Sequence, residues 1–331
     1  FFSPGLSSDF YLNPLHWSQS NLLAVGLGDS LYVWNGNTGD VSLVCQTNDK
    51  TNPICSVNWL PGHDSTKLAI GTTDKQVILW DVAASKMLRS MDGHESRVSA
   101  LSWNKHILSS GSRDKTIINH DVRVRDHIVH TLHGHQREIC GLHWSPDHSQ
   151  LASGSNDNTL RIWEQRTMQH TTIDSTFTME QHTAAVKAID WCPWKRHLLA
   201  SGGGTADRHL RFWNTSTGDC IQSIDTESQV CSVLWSRHYR ELVSAHGFSK
   251  NQLTVWKYPT MSRSAELTGH TQRVLHMAMS PDGQTVVSAS NDETLRFWKI
   301  FSPSKQQVKK AQLSKKKSNS SATSKMSRRL R

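Results

Sequence analysis

At 331 residues, 36% of them hydrophobic, the chain is long enough for one large domain or two ordinary ones, with ample apolar material for a core. Its net charge of +9 is unevenly placed: ten of the 37 Lys and Arg fall after residue 301 with no Asp or Glu among them, leaving 27 basic against 28 acidic groups before that point. A neutral body leaves only the tail as a candidate for nucleic-acid binding, and no apolar run approaches the ~20 residues of a membrane helix.

The chain opens with "FFSPGLSSDFYLN", rich in aromatics and lacking an initiating methionine, so the natural N-terminus is expected to lie elsewhere. After it a beat sets in. Large residues stand at Trp17, Trp59, Trp103, Trp144, Trp191, Trp235 and Met279, and a second series at Trp34, Trp80, His120, Trp163, Trp213, Trp256 and Trp298. Members of the second series are 46, 40, 43, 50, 43 and 42 residues apart, which divides the chain into seven units. Within a unit, short period-2 stretches alternate with turn residues such as Ser145-Pro146-Asp147 and Ser280-Pro281-Asp282. Gly-His pairs open units at Gly93, Gly134 and Gly269. A period of about 40–45 residues with this punctuation predicts an all-β fold, a seven-bladed WD-repeat β-propeller.

His135, Ser153 and Asp157 contain the letters of a hydrolase triad. The same set recurs as His182, Ser201 and Asp207 and as His270, Ser288 and Asp292, each time followed by a closing Trp. One active site per blade makes no sense, so these residues are expected to hydrogen-bond toward Trp163, Trp213 and Trp298 and lock their blades, and the chain is read as no enzyme. In the third unit His94, Ser110 and Asp114 are kept while His120 replaces Trp, which predicts a loosened lock. Nothing is spaced to make a metal or cofactor site. The six cysteines, never closer than ten residues, form no C-x-x-C unit and read as small buried hydrophobes in a reducing compartment.

The last predicted strand is Thr294–Lys299, and the polar, basic stretch 302–331 reads as a disordered tail. The outer strand of the seventh blade must then come from the N-terminus, with Phe1, Phe2, Phe10, Tyr11 and Leu12 expected to bury against the first and last blades. The propeller is thus assigned to residues 1–301.

Several runs go beyond the generic repeat: "DFYLN" at 9–13, "ILSSGSRD" at 107–114, "VKAIDWCPW" at 186–194, "LLASGGGTADRHLRFWN" at 198–214, "ELVSAHGFSKNQLTVWKYP" at 241–259 and "AELTGHTQRVL" at 265–275. Over about residues 1–301 the chain resembles the Fizzy and cell-division-cycle twenty family, activators of the anaphase-promoting complex. The resemblance implies a substrate-recruiting adaptor of that ubiquitin ligase, monomeric, found in nucleus and cytoplasm. Its partners would be ligase subunits, degron-bearing substrates and pseudosubstrate inhibitors. Asn156, Thr205, Gln229 and Arg273 match the positions with which the family reads a Lys-Glu-Asn motif. Two lie in turns after second strands and two precede first strands, which strand alternation puts on one face, and a guanidinium with neutral amides suits a peptide carrying an acid and an amide.

For the family's second motif, the destruction box, Glu293 matches one of two acids. The other aligns with "FFSP", where Phe2 stands in place of Asp, so weakened or altered binding is expected. Pro14 and His16 also depart from the family's Leu and Asp, as in a divergent member. Leu330-Arg331 resembles the family's terminal Ile-Arg, which docks on the ligase; a solvated tail, or a nuclear-import or nucleic-acid patch, are the alternatives. A family-derived scaffold without ligase coupling also fits the sequence.

Overall fold

The computed structural model describes residues 1–47, 51–62, 66–169 and 174–301. They form seven antiparallel sheets in chain order, six of four strands and one of three. The innermost strands are Leu15–Trp17, Ile54–Trp59, Val98–Asn104, Ile139–Trp144, Val186–Trp191, Val230–Trp235 and Val274–Met279. Each neighbours the next, and Leu15–Trp17 also meets Val274–Met279, so the seven blades make a closed ring. The expected propeller is therefore present, and the regular beat of Trp and Met279 marks the ends of the inner strands.

Burial follows position in the blade. Second strands such as Gln150–Ser155 and Leu198–Gly203 are buried at every residue, because a neighbouring blade covers each of their faces. The outer strand Asp219–Asp225 alternates between exposed and half-buried. The small-residue runs of the second strands have a packing cause: a Cβ on Gly154 would lie 2.2 Å from the Val186 carbonyl oxygen, and one on Gly202 would lie 2.3 Å from Val230 Cγ1. Glycine there lets the inner strand of the next blade approach.

The repeated His, Ser and Asp assemble as structural locks. In blade four, His135 meets Asp157 Oδ2 at 3.0 Å and Ser153 Oγ at 2.8 Å, and Trp163 Nε1 donates to the same Oγ at 2.8 Å. Blade five repeats this with His182, Asp207, Ser201 and Trp213, and blade seven with His270, Asp292, Ser288 and Trp298. Ser153, Ser201 and Ser288 are wholly buried. Burial alone would push Asp157 up, but hydrogen bonds from His135, Thr159 and the Gln136 amide hold it well below the usual carboxylate range.

The third blade corrects the expectation of a loosened lock. His120 takes over from Trp, meeting Ser110 Oγ at 2.8 Å through Nε2 and His127 Nδ1 at 2.9 Å through Nδ1, with no exposure. Burial, with His94 and His127 beside it, lowers His120 from 6.5 to about 3, so the ring is neutral and a smaller group completes the same chain. In blade one, Trp34 has no hydrogen-bond partner for its buried Nε1; it packs instead with Phe1, Trp17 and Phe297.

Closure uses the N-terminus as expected. Phe2 bridges Thr294 antiparallel, the Ser3 amide donates to the Glu293 carbonyl at 2.7 Å, and the Leu295 amide donates to the Phe1 carbonyl at 2.8 Å. The aromatic side chains fall otherwise than expected. Phe1 and Phe2 remain 66% and 73% exposed, Phe1 only edging onto Trp34 and Phe297. Leu6 fills the seam between blades one and seven, while Phe10 packs on Ala185, Cys231 and Leu275 of blades five to seven. A closing strand of three residues is too short to bury alternate aromatics. Leu330, Arg331 and the rest of the tail from 302 lie outside the described residues.

Two outcomes are expected. Ser153→Ala leaves Trp163 Nε1 and His135 Nε2 buried without a partner, so stability falls by about 2–4 kcal/mol, read as a lower urea midpoint. His120 titrates lower folded than unfolded, so its stabilisation is complete above pH 6.5 and shrinks as pH falls toward 3. His120→Gln should therefore flatten the acid side of the stability profile relative to wild type, while His16 and His246, both lowered to about 4 by burial, together with the buried His276 and the lock aspartates, keep part of the slope.

Candidate peptide-binding face

At one end of the ring, in blades three to seven the residue after the second strand donates its amide to the carbonyl of a residue at the entry to that blade's inner strand: Arg113 to Arg97, Asn156 to Glu138, Gly204 to Ala185, Gly247 to Gln229 and Asn291 to Arg273. These bonds put both kinds of loop on one face. Residues 5–13 run across this face as a strap before entering blade one.

The strap is fixed at every step. The Gly5 amide donates to Glu293 Oε1 at 3.2 Å. Arg97 Nη1 donates to Asp9 Oδ2 at 2.6 Å while its Nε and Nη2 form a paired bond to Glu138, at 2.7 and 2.8 Å. Phe10 stops the mouth of the central channel, with Lys187 Nζ 5.4 Å from its ring centre. Asn13 Nδ2 donates to the carbonyls of Ser99 and Cys140, at 2.7 and 2.9 Å. Behind the strap lies a channel of ≈ 530 Å³, reaching Pro61, Pro146 and Arg237 at the far end. At its closed end Lys187, buried and lowered to about 8 by desolvation, donates to the Leu275 carbonyl and to His276 Nδ1.

The four residues matched to Lys-Glu-Asn recognition come one from each of blades four to seven, in an arc around the strap. Asn156 Oδ1 accepts from the Tyr11 hydroxyl at 3.1 Å, and burial raises the Tyr11 pKa, so the phenol stays a donor. Thr205 is exposed and follows Gly204, which holds the Ala185 carbonyl beneath Phe10. Gln229 is 6% exposed, and its Oε1 is buried without a partner. Arg273 adjoins it across Gly247, where a Cβ would lie 3.1 Å from Gln229 Oε1 and 3.4 Å from Arg273 Cδ. The Arg273 guanidinium stacks at 5.5 Å on Phe248, which is 61% exposed, and donates to the Ser8 carbonyl at 3.2 Å. No carboxylate among the described residues pairs with it.

Phe2 and Glu293 are also brought together, by the closing bridge at Thr294. Glu293 sits in the left-handed region at φ 57°, and Phe2 projects into solvent from the seam of blades one and seven.

Sequence reasoning missed Tyr11, and the Asp9, Arg97 and Glu138 network that holds the strap. An Asp beside two aromatics in a segment with no strand pattern was the available signal for the first part. Arg97 and Glu138 are 41 residues apart and carried none.

Fold and face together define a WD40-repeat propeller with a strapped, peptide-sized face. The CDC20/Fizzy WD40 domain family matches residues 3–298, and the chain belongs to it. It is 55% identical over 299 residues to "Anaphase-promoting complex subunit cdc20" of Dictyostelium discoideum, covering 90% of this chain and 59% of that protein. It is 51% identical over 312 residues to "Protein FIZZY-RELATED 1" of Arabidopsis thaliana, covering 94% of this chain and 64% of that one. The chain thus spans about three-fifths of the length of these relatives. A chain from "Crystal Structure of Mitotic Checkpoint Complex" superposes with a TM-score of 0.87 at 44% identity, covering 91% of this chain and 93% of that one.

The strap network yields an expected outcome. Arg97→Ala leaves Glu138 buried without its cation and should cost about 3–5 kcal/mol, with faster proteolysis of residues 1–13. Arg97→Ala combined with Glu138→Gln should recover part of that loss in a thermal melt.

Proposed function

We propose that this propeller is the degron receptor of an anaphase-promoting-complex activator, recruiting substrates or pseudosubstrate inhibitors to the ligase without bond chemistry of its own. The observation that carries it is the arc from Asn156 to Arg273, with a buried, unfilled amide acceptor at Gln229 beside a guanidinium that has no carboxylate partner among the described residues. A Lys-Glu-Asn peptide offers what these groups lack: a carboxylate for Arg273 and amide or ammonium donors for Gln229, Asn156 and Thr205. The names of its relatives favour the same ligase. Nucleus and cytoplasm are the proposed locations, and Leu330-Arg331 is the proposed tail contact with ligase subunits.

A second reading, a family-derived scaffold uncoupled from the ligase, is favoured by one observation: Phe2, 73% exposed, where the family's acid would complete the destruction-box site with Glu293.

Two titrations test these readings. A Lys-Glu-Asn peptide should bind saturably, and Arg273→Ala should weaken it roughly tenfold to a hundredfold, as loss of a charged hydrogen bond does; a folded protein that ignores the peptide refutes the receptor reading. A destruction-box peptide should bind wild type weakly, and Phe2→Asp should tighten it by roughly threefold or more, an ion-pair effect that fades with salt.

A further inference from the structure

A second hollow of ≈ 430 Å³ opens on the same face, where blades three and four meet, and Tyr11 and Asn156 are part of its wall. It therefore shares Asn156 with the arc of the proposed degron site. Its other walls are strongly basic. Arg113 and Lys115 stand in the turn after the second strand of blade three, and Arg137 precedes the inner strand of blade four; all three are exposed. With Arg97 they make four cationic side chains against two carboxylates, Asp9 and Glu138.

Those two carboxylates are already committed to Arg97. Two acids in the adjoining turns are committed as well: Asp114 to His94 at 2.8 Å and Asp157 to His135 at 3.0 Å. Glu95, exposed in the turn before the inner strand of blade three, stays outside the locks, yet none of Arg113, Lys115 and Arg137 has an ion-pair partner among the described residues. Their backbones are held, the Arg113 amide by the Arg97 carbonyl at 3.0 Å and the Arg137 carbonyl by Ser155 Oγ at 3.1 Å. Three unpaired cations on anchored backbone around one hollow make an anion-selective subsite without rearrangement of the fold.

We propose that this hollow is a specificity subsite for the degron peptide, taking an anionic side chain that flanks the motif seated in the arc. The occupant is a glutamate, an aspartate or a phosphorylated serine of the bound peptide, reaching Arg113, Lys115 and Arg137 past Asn156. The inference rests on the receptor reading above and adds to it a preference for acidic or phosphorylated flanks.

The test is fluorescence anisotropy on the whole chain with four labelled Lys-Glu-Asn peptides: neutral flanks, two glutamates before the motif, two glutamates after it, and a phosphoserine on the side the glutamates favour. One of the two glutamate peptides should bind roughly tenfold tighter than the neutral one at low salt, the gain shrinking as salt rises. In Arg113→Ser/Lys115→Ser/Arg137→Ser, which alters only exposed side chains, the neutral peptide should bind as to wild type and the gain should vanish. The single reversal Lys115→Glu should cut the gain and leave neutral binding alone. The phosphoserine peptide separates the two sources of charge: a gain above that of glutamate assigns the subsite to phosphorylated flanks, and an equal or smaller one to acidic residues. Equal binding of neutral and acidic peptides by wild type, or a gain that survives the triple substitution, overturns the subsite while sparing the receptor. Failure of every peptide to bind overturns both.

Discussion

The backbone pairing of Phe1 to Ser3 with Glu293 to Leu295 is the contact on which the ring depends. Seven twisted sheets bury their flat faces only if each has a neighbour on both sides, and the seventh has three strands of its own. Without the N-terminal residues its edge would stand open, a template for unwanted pairing, and Leu6 would not fill the seam between the last blade and the first. Segments far apart in the sequence are thereby made one structural unit, as the bond from the Phe1 nitrogen to the Leu295 carbonyl at 2.9 Å, across 294 residues, illustrates.

That solution has a consequence for the face. A chain that passes from the outer position of blade seven to the inner strand of blade one must cross to the channel, and residues 5–13 do so over the end of the ring. The strap is this path. It stops the channel with Phe10, ties blades three and four together through Arg97, and places Tyr11 and Ser8 against Asn156 and Arg273. Closure and the proposed peptide-binding face therefore share the same segment.

Charge on the face is governed by the locks. Each His, Ser, Asp and Trp set takes a carboxylate into the blade, where hydrogen bonds from the His ring, a Thr hydroxyl and a backbone amide hold it ionised. In blade three the turn that contributes Asp114 also carries Arg113 and Lys115, which are left toward solvent with no ion-pair partner among the described residues. A protein body that is neutral in total thus presents a basic rim beside Asn156. Bulk charge counting is blind to this, because it weighs a buried, satisfied carboxylate equally with an exposed cation.

Repetition made the fold legible. Trp at near-regular intervals, Gly-His openings and small-residue second strands recur from blade to blade, so seven imperfect copies in 331 residues speak as one pattern, and Thr294–Lys299 was readable as the last strand. Loop sequences likewise carried the family resemblance from which the four arc positions were matched. What happens only once in the molecule was not legible: the course of residues 5–13, Phe10 in the channel mouth rather than at the seam, Arg97 between Asp9 and Glu138, and His120 completing a lock through His127. The sequence by itself determined the number, order and internal design of the blades, because those follow from local periodicity. Only the tertiary structure decided which groups were left unpaired on the face, because that depends on contacts between residues dozens to hundreds of positions apart, which no local pattern encodes.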